Sequence, residues 1–191
     1  MTSAGDPFPE LGDEAVLELY AGGDAQAAAC LTARLAPRIL SHCQRRLGDR
    51  SEAEDVVQDA MFKLWQIAPS WEPGRAKLST WLFQVASNLC VDRLRRRRSV
   101  GLDEIAEPVD NTPSVETRLM QTSRLNALET ALEKLPDRQK QAVLLRHIEG
   151  LSNPEIGEIM DLSVEAVESL TARGKRALAG LLSRRKEELG L

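Results

Sequence analysis

The sequence predicts an all-α protein of two small helical domains joined by a flexible linker. Of its 191 residues, 42% are hydrophobic and 28% are charged, a mixture typical of globular rather than disordered chains. Ala, Leu, Glu, Arg and Gln recur along the chain, and these residues lose little side-chain freedom in a helix. No run of alternating β-branched residues is long enough to indicate a strand.

Composition also divides the chain into parts. Residues 99–117 contain two prolines, a glycine and several carboxylates without any helical period, which predicts a flexible acidic linker. We therefore expect a first domain at residues 11–98 and a second at residues 118–188. Residues 1–10 are expected to be disordered.

Charge is distributed unevenly along the chain. The formal net charge is −4, which by itself argues against nucleic acid as a partner. Residues 61–98, however, carry 8 basic and 2 acidic residues, whereas residues 1–60 carry 5 and 11. A basic block beside acidic ones predicts that this part of the chain faces a polyanion.

Several classes of protein are disfavoured. No stretch approaches the eighteen or so apolar residues of a membrane span, and the first ten residues lack the pattern of a signal peptide. The thiols Cys30, Cys43 and Cys90 are odd in number and widely spaced, which predicts buried cysteines in a reducing, cytoplasmic compartment. His42 beside Cys43 lacks the short spacings of a zinc site, so no metal is expected.

The same inventory predicts no enzymatic activity. The two histidines, His42 and His147, have no nucleophile–base arrangement around them, and no glycine-rich phosphate loop is present. We therefore expect no catalytic residues and no cofactor.

Helix signals in the first domain begin with residues 13–20, which end at a Gly-Gly pair. Asp24 is expected to cap a second helix that runs to Leu47, with a kink or break at Pro37. Residues 51–54 have the form of a capping box and predict the start of a third helix.

The third helix has an apolar stripe and a polar side. Val56, Ala60 and Leu64 are among the residues of the stripe. The polar side carries Asp55, Gln58, Asp59 and Lys63. Periodicity alone assigns these polar residues equally well to solvent or to a partner.

Residues 75–98 combine an apolar face with a strongly basic end. Apolar residues follow helical offsets from Leu78 to Leu89, while Gln84, Ser87, Asn88 and Asp92 are expected off that face. The terminal arginines fit phosphate oxygens, although such runs also occur on solvated helix ends. Nearby aromatics and amides can hold unpaired bases; the rings concerned are Trp65, Trp71, Trp81 and Phe83, of which Trp81 fits the core better.

The second domain contains a helix-turn-helix pattern. A helix is expected from Leu135 to about His147, with a core face of Ala142, Val143, Leu145 and Ile148. Ser152 and Glu155 then form a capping box for a short helix that ends near Met160. Asp161 makes the turn, and Ser163 caps a helix that runs to about Leu182. Such a pair favours duplex DNA recognition over a purely structural role.

Taken together, these motifs resemble the extracytoplasmic-function (ECF) class of the bacterial sigma-70 family of RNA polymerase sigma factors. The resemblance covers about residues 15–98 and 120–182. It is carried by Ala53–Phe62, Leu78–Asn88, Leu135–Gln139 and the helix-turn-helix.

The resemblance implies specific contacts. Region 2 of the family binds the β′ clamp of core polymerase and melts the −10 element, and region 4 reads the −35 element and touches the β flap. The implied polymerase contacts are Asp55, Gln58, Asp59 and Phe62. The implied −10 contacts are Trp71, Arg75, Lys77, Thr80, Gln84, Asn88, Arg93, Arg95, Arg96 and Arg97. The implied −35 contacts are Ser163, Glu165, Glu168, Ser169, Ala172, Arg173 and Arg176.

The resemblance also bears on the regulation of the protein and on the bases that it reads in the −35 element. Members of this class are usually held inactive by an anti-sigma factor, which is therefore an expected partner. Several relatives carry Arg where this chain has Glu168 and an aromatic residue where it has Ala172, so the bases read there stay open. The alternative is a helix-turn-helix regulator that binds operators without polymerase, but such a protein would not explain residues 55–62.

Overall fold

The computed structural model describes residues 6–72, 74, 77–100 and 127–188. These residues are helical or form short connections, and no strand occurs among them, so the predicted all-α class is confirmed. Two compact units are present: the first contains the described residues up to Asp92 together with Gly157–Leu162, and the second contains those of Arg93–Ile156 and from Ser163 onward. Of the predicted linker, only Ser99 and Val100 are described, as the last residues of a helix. No helix in the described ranges is long and apolar enough to cross a bilayer.

The helices follow one another with short connections. In the N-terminal part of the chain they are α1 (Asp13–Ala21), α2 (Ala25–Leu47), α3 (Arg50–Ile67), followed by a 3₁₀ turn (Ala68–Ser70), and α4 (Leu78–Val100). In the C-terminal part they are α5 (residues 127–133), α6 (Asp137–Val143), which continues as a π-helical turn (Leu144–Ile148), α7 (Asn153–Met160) and α8 (Val164–Glu188).

Helix ends in the first unit follow local side-chain chemistry. The Asp24 carboxylate accepts hydrogen bonds from the Gln26 and Ala27 amides and so caps α2, as predicted. Gly48 ends the same helix with φ +68°, a left-handed conformation that glycine adopts without a Cβ penalty.

One predicted helix start and one predicted helix break differ from the structure. Helix α3 begins at Arg50, and its cap is Asp49, whose Oδ1 accepts from the Glu52 amide at 2.9 Å. A carboxylate here also complements the helix dipole, and it displaces Ser51 as the cap. In α2, the predicted break at Pro37 does not occur, since the helix runs through this residue from Ala25 to Leu47.

The core of the first unit is formed by one face each of α1 to α4. The largest fully buried side chains there are Leu17, Leu31, Ile39, Leu64, Leu78, Leu82 and Phe83. The three cysteines are also buried in this unit and form no disulfide, which confirms the prediction of buried thiols. Packing of these apolar faces supplies most of the stability of short helices.

The N-terminal segment is held against α2. Residues 6–10 are predicted to be disordered, but the Arg34 guanidinium bonds to Asp6 and to the carbonyl oxygens of Phe8 and Leu11. These contacts give residues 6–11 a fixed place on the first unit. Residues 1–5 lie outside the described part of the chain.

The second unit is built around α5, α6 and α8. Its core is a cluster of aliphatic side chains: Ala131, Leu132, Leu135, Val143, Leu144 and Leu178. Gly174 on α8 allows the close approach of α6, since a Cβ there would lie 2.6 Å from Val143 Cγ2. Ile148 is predicted on the core face, but it is 43% exposed. It lies in the π-helical turn, which shifts the helical register by a residue.

Candidate functional site

An exposed stripe runs along α3. Asp55, Gln58, Asp59 and Phe62 are spaced by three and four residues, so they lie on one face of the helix. All four side chains are exposed, and Phe62 is exposed by 62%. The opposite face is buried, which leaves the stripe facing away from the core. A large apolar ring beside carboxylates is typical of an interface rather than a solvated surface.

The position of α4 is fixed by contacts with α1 and α2. Glu14 Oε1 accepts a hydrogen bond of 2.9 Å from the Leu78 amide and so caps α4 from a residue 64 positions away. Arg38 lies 5.6 Å from the centre of the Phe83 ring in a cation–π contact. Sequence reasoning did not identify these positioning residues, since nothing in the local sequence pairs α4 with the earlier helices.

A buried histidine completes the junction between α2 and α4. His42 is fully buried, packs edge-on against Phe83 and has its Nε2 at 3.5 Å from Ser87 Oγ. Burial, together with repulsion from Arg46 and Arg45, lowers the pKa of His42 to about 3. The imidazole is therefore neutral near pH 7 and acts as part of the core.

The outward side of α4 presents aromatic, amide and basic groups in sequence. Trp81, Gln84 and Asn88 follow helical spacing along one side; the first two are half-buried and Asn88 is exposed. Trp71 packs edge-on against Trp81 with ring centres 5.9 Å apart at 79°. The Trp71 Nε1 is buried and has no hydrogen-bond partner among the described residues. This arrangement can stack a planar base and bond to its edge.

The basic end of α4 extends this surface. Arg93 is half-buried, and Arg95, Arg96 and Arg97 are exposed. Lys77 is exposed just before the helix begins, whereas Arg75 lies outside the described residues. Guanidinium groups at the end of the aromatic–amide side are suited to backbone phosphates.

Two residues of α4 lie on a different face from the one predicted. Helical periodicity predicts Ser87 off the buried face, but its side chain is only 1% exposed, because it faces His42. The resemblance implies a DNA contact for Thr80, but its side chain is only 2% exposed, and its hydroxyl has no hydrogen-bond partner in the part of the chain that the structure describes. The buried side of α4 includes Phe83 and Ala86, so it lies closer to Thr80 and Ser87 than the predicted apolar stripe does.

Helices α7 and α8 form the predicted helix-turn-helix. The Ser152 amide and hydroxyl both donate to Glu155 Oε2, at 2.8 and 2.6 Å, which confirms the capping box. Asp161 makes the turn with φ +52°, in the left-handed region. Gly157 lies where a Cβ would be 2.8 Å from the Leu162 carbonyl oxygen, so only glycine fits against this turn.

The start of α8 is capped by two residues of the predicted DNA set. Ser163 Oγ accepts from the Ala166 amide at 3.3 Å. Hydrogen bonds from the Glu165 amide and from Ser163 hold the pKa of the Glu165 carboxyl below its usual range. These two side chains therefore accept hydrogen bonds from backbone amides at the N-terminus of α8.

The remaining predicted residues form an exposed face farther along α8. Glu168, Ser169, Ala172, Arg173 and Arg176 are all exposed. The Arg173 and Arg176 guanidiniums bond back to carbonyl oxygens of their own helix, at 3.2 and 3.4 Å. Glu168 Oε1 accepts a hydrogen bond of 3.2 Å from Asn153 Nδ2. Nothing in the local sequence singles out Asn153, which follows the capping Ser152 directly.

An apolar groove lies elsewhere on the second unit. It encloses about 260 Å³ between α5, α6 with its π turn, and α8. Its floor is aliphatic and its rim carries His147 and Lys175. Burial, Lys175 and Arg146 together lower the pKa of His147, so the positive charge among the residues that line the groove is carried by Lys175 near pH 7.

Comparison with protein families gives two matches on this chain. Residues 31–100 match the family described as Sigma-70 region 2, and residues 125–178 match the one described as Sigma-70, region 4. The chain is also 31% identical over 167 residues to the ECF RNA polymerase sigma factor SigW of Bacillus subtilis (strain 168). That alignment covers 82% of this chain and 89% of SigW.

Solved structures with a similar fold include two complexes. CnrH, in complex with the cytosolic domain of CnrY, superposes with a TM-score of 0.68 at 24% identity, covering 90% of this chain and 97% of that one. The sigma factor RpoE of Bartonella quintana, in complex with the anti-sigma factor NepR, gives a TM-score of 0.67 at 24% identity. It covers 80% of this chain and 94% of that one. At this identity the likeness establishes the fold.

Proposed function

We propose how this chain, which belongs to the ECF class of RNA polymerase sigma factors, divides polymerase binding and promoter recognition among its surfaces. The proposal assigns the α3 stripe to core polymerase, the outward side of α4 to the −10 element and the exposed face of α8 to the −35 element. It assigns no catalysis to the protein. A cytoplasmic location is part of the proposal, since both polymerase and promoter DNA are there.

The α3 stripe is the observation that carries the polymerase assignment. Phe62 is the most exposed of the large hydrophobic residues described, and Asp55, Gln58 and Asp59 lie beside it on the same face. Exposure of a phenyl ring to water is unfavourable unless a partner covers it. Carboxylates around such a ring add specificity for a basic partner surface. We assign this stripe to the β′ clamp.

The outward side of α4 is assigned to unpaired bases of the −10 element. The Trp71–Trp81 pair offers ring faces and edges, and Gln84 and Asn88 offer amide donors and acceptors. The exposed arginines that follow would neutralise phosphates of the same strand. Burial of Thr80 favours a supporting role for that residue beneath the base-binding side chains. Arg75 and Lys77 stay in the proposal as phosphate contacts.

Helix α8 is assigned to the duplex −35 element. A recognition helix places its N-terminal half against base edges and its flanking cations on phosphates. Glu168, Ser169 and Ala172 occupy that half on the exposed face, with Arg173 and Arg176 following. Ser163 and Glu165 form the cap at the start of the same helix.

The apolar groove of the second unit is assigned to the β flap. Its aliphatic floor would bury apolar side chains of the flap, and Lys175 at its rim favours a carboxylate at the edge of that contact. An anti-sigma factor is a further proposed partner, by analogy with the complex of RpoE with NepR. Such a partner would compete with polymerase and DNA for the same exposed surfaces.

Reconstitution with core polymerase tests the polymerase assignment. Asp55→Arg and Asp59→Arg should weaken binding to core polymerase, because they place cations against a surface suited to carboxylates. The matched control is Glu18→Arg, which reverses an exposed carboxylate on α1 of the same unit. Binding that is unaffected by the α3 changes would refute the assignment. A wild-type chain that neither binds polymerase nor directs it to a promoter would favour the operator-binding regulator instead.

Promoter opening tests the α4 assignment separately. Asn88→Ala should lower transcription from duplex promoters while leaving affinity for core polymerase unchanged, since Asn88 lies on a different helix from the α3 stripe. A promoter with a pre-melted −10 element should recover much of the lost activity, because the strand-opening cost has been removed. Equal loss of polymerase binding and promoter use would overturn the base-contact role of Asn88.

A further inference from the structure

Asn153 and Glu168 connect the two helices of the helix-turn-helix on its exposed side. Asn153 is the first residue of α7 and is half-buried, whereas Glu168 lies in the second turn of α8 and is exposed. The Asn153 Nδ2 donates to Glu168 Oε1 at 3.2 Å, across 15 positions of sequence. This bond restricts the rotamers of a side chain that would otherwise sample many orientations.

Neither side chain is used to cap its helix. At the start of α7 the cap is made by Ser152 and Glu155, and at the start of α8 by Ser163 with Glu165. Within the described part of the chain, the bond from Asn153 is the one hydrogen bond recorded for the Glu168 carboxylate. Its Oε2 is therefore available to accept a hydrogen bond from outside the protein.

A carboxylate at this place on a recognition helix restricts which base can face it. It accepts hydrogen bonds only, so it requires an amino group in the major groove, which cytosine N4 and adenine N6 provide. Adenine N6 lies between two acceptors, its own N7 and the O4 of the paired thymine, and both repel a carboxylate. Cytosine N4 has an acceptor on one side only, the O6 of the paired guanine, so cytosine is the favoured partner.

We propose that Asn153 is a positioning residue that holds the Glu168 carboxylate toward cytosine N4, so that one position of the −35 element is read as cytosine. The inference rests on the proposed function of α8. Asn153 contributes by orienting the carboxylate before DNA arrives, which reduces the ordering cost of the base contact. It also keeps the acid at the base edge and away from the phosphates, which would repel it.

The test uses the full chain with core polymerase and a set of promoters that carry each of the four bases at every −35 position. The wild type should prefer cytosine at one position. Glu168→Gln should transfer that preference to adenine, because an amide both donates to N7 and accepts from N6. Asn153→Ala should reduce the cytosine preference at the same position roughly fivefold, within the range of a single good base contact, and leave the other positions unchanged.

A double-mutant comparison separates positioning from a general structural role. In a Glu168→Ala background, Asn153→Ala should have no further effect on base preference, since the group that it positions is gone. The matched control is Glu133→Gln, which neutralises an exposed carboxylate on α5 and should leave preference unchanged at every position. An Asn153→Ala effect of equal size in both backgrounds, or spread over all positions, would overturn the proposal.

Failure of the inference and failure of the proposed function give different results. If Glu168→Gln changes no preference while the chain still directs polymerase to promoters, the cytosine contact is refuted and the sigma role stands. If the chain directs polymerase to no promoter, the sigma role is refuted. The same set of duplexes, bound by the chain alone, then decides the cytosine contact: preference for cytosine that Glu168→Gln shifts to adenine supports it, and its absence refutes it.

Discussion

The Arg34 guanidinium and the Asp6 carboxylate form an ion pair that closes the N-terminal segment onto α2. The Nη2–Oδ2 distance is 2.6 Å, and Arg34 also reaches Asp13 Oδ1 at 3.1 Å. Asp6 Oδ1 in turn accepts from Cys30 Sγ at 3.1 Å. Because one guanidinium joins two carboxylates and two carbonyl oxygens, the closure of this segment depends on a single side chain.

Arg34→Ala should therefore open the N-terminal segment and expose the Cys30 thiol. Cys30 is only 4% exposed in the closed form, and local opening controls access to such a group. Labelling with a thiol reagent, with the modified cysteine located by mass spectrometry, should show a several-fold faster reaction at Cys30. Cys43 and Cys90 should react at their wild-type rates.

The control for this experiment is Arg50→Ala. Arg50 also forms an ion pair, with Glu54 at 2.8 Å, but this pair lies within α3 and the Arg50 side chain is 75% exposed. Cys30 reactivity should be unchanged in this variant. Equal labelling rates at Cys30 in wild type and Arg34→Ala would show that Arg34 does not hold the segment closed.

His42 should destabilise the first unit as the pH falls below neutrality. Its pKa is about 3 in the folded protein, against 6.5 when unfolded, so the unfolded chain binds more protons between these values. Stability is complete above pH 6.5 and is lost toward pH 3, by about 1.4 kcal/mol for each pH unit. His42→Leu should flatten the dependence of the unfolding free energy on pH in this range. An imidazole NMR signal of His42 that titrates near pH 6.5 in the folded protein would contradict the prediction.

Gly174 and Gly180 on α8 should respond oppositely to the same substitution. A Cβ at Gly174 would lie 2.6 Å from Val143 Cγ2 and 3.2 Å from the Gln139 carbonyl oxygen, whereas one at Gly180 would have no atom of the described residues within 4 Å. Gly174→Ala should therefore cost about 1–3 kcal/mol of stability. Gly180→Ala should gain about 0.5–1 kcal/mol from helix propensity. Thermal unfolding followed by circular dichroism measures both; a stabilising Gly174→Ala would show that the helices can separate freely.

Phe62→Ala should separate binding from stability. The ring is 62% exposed, so its removal should change the unfolding free energy by less than about 0.5 kcal/mol. As the apolar centre of the proposed α3 contact, it should weaken binding to core polymerase roughly 30-fold, or about 2 kcal/mol. Val91→Ala is the control, because Val91 is an exposed apolar residue on α4. Equal effects of the two changes on polymerase binding would show that Phe62 is not part of the interface.

Local signals in the sequence were sufficient for much of the fold. The cap at Asp24, the stop at Gly48, the capping box of Ser152 with Glu155 and the turn at Asp161 all occur as predicted. Each depends on groups within about four residues of one another, so the sequence alone contains both partners. The exposed stripe of α3 follows from helical periodicity for the same reason.

Tertiary structure decided the features whose partners are distant in sequence. Glu14 caps α4 from 64 positions away, and Arg34 fastens a segment 28 positions before it. Ser87 and Thr80 are buried because α2 and the rest of the core cover their side of α4. The residues around them in the sequence do not indicate this burial. Ile148 is exposed because a π-helical turn shifts its register.

The sequence by itself thus determined most of the helices, their order and the family to which the chain belongs, because caps, turns and apolar periods act over a few residues. It did not indicate α5 (residues 127–133). Tertiary packing decided which side of each helix is available to a partner. For α4 this removed Thr80 from the accessible surface, and for α8 it joined Glu168 to Asn153. The physical reason is that burial and long-range hydrogen bonds depend on residues that only the folded chain brings together.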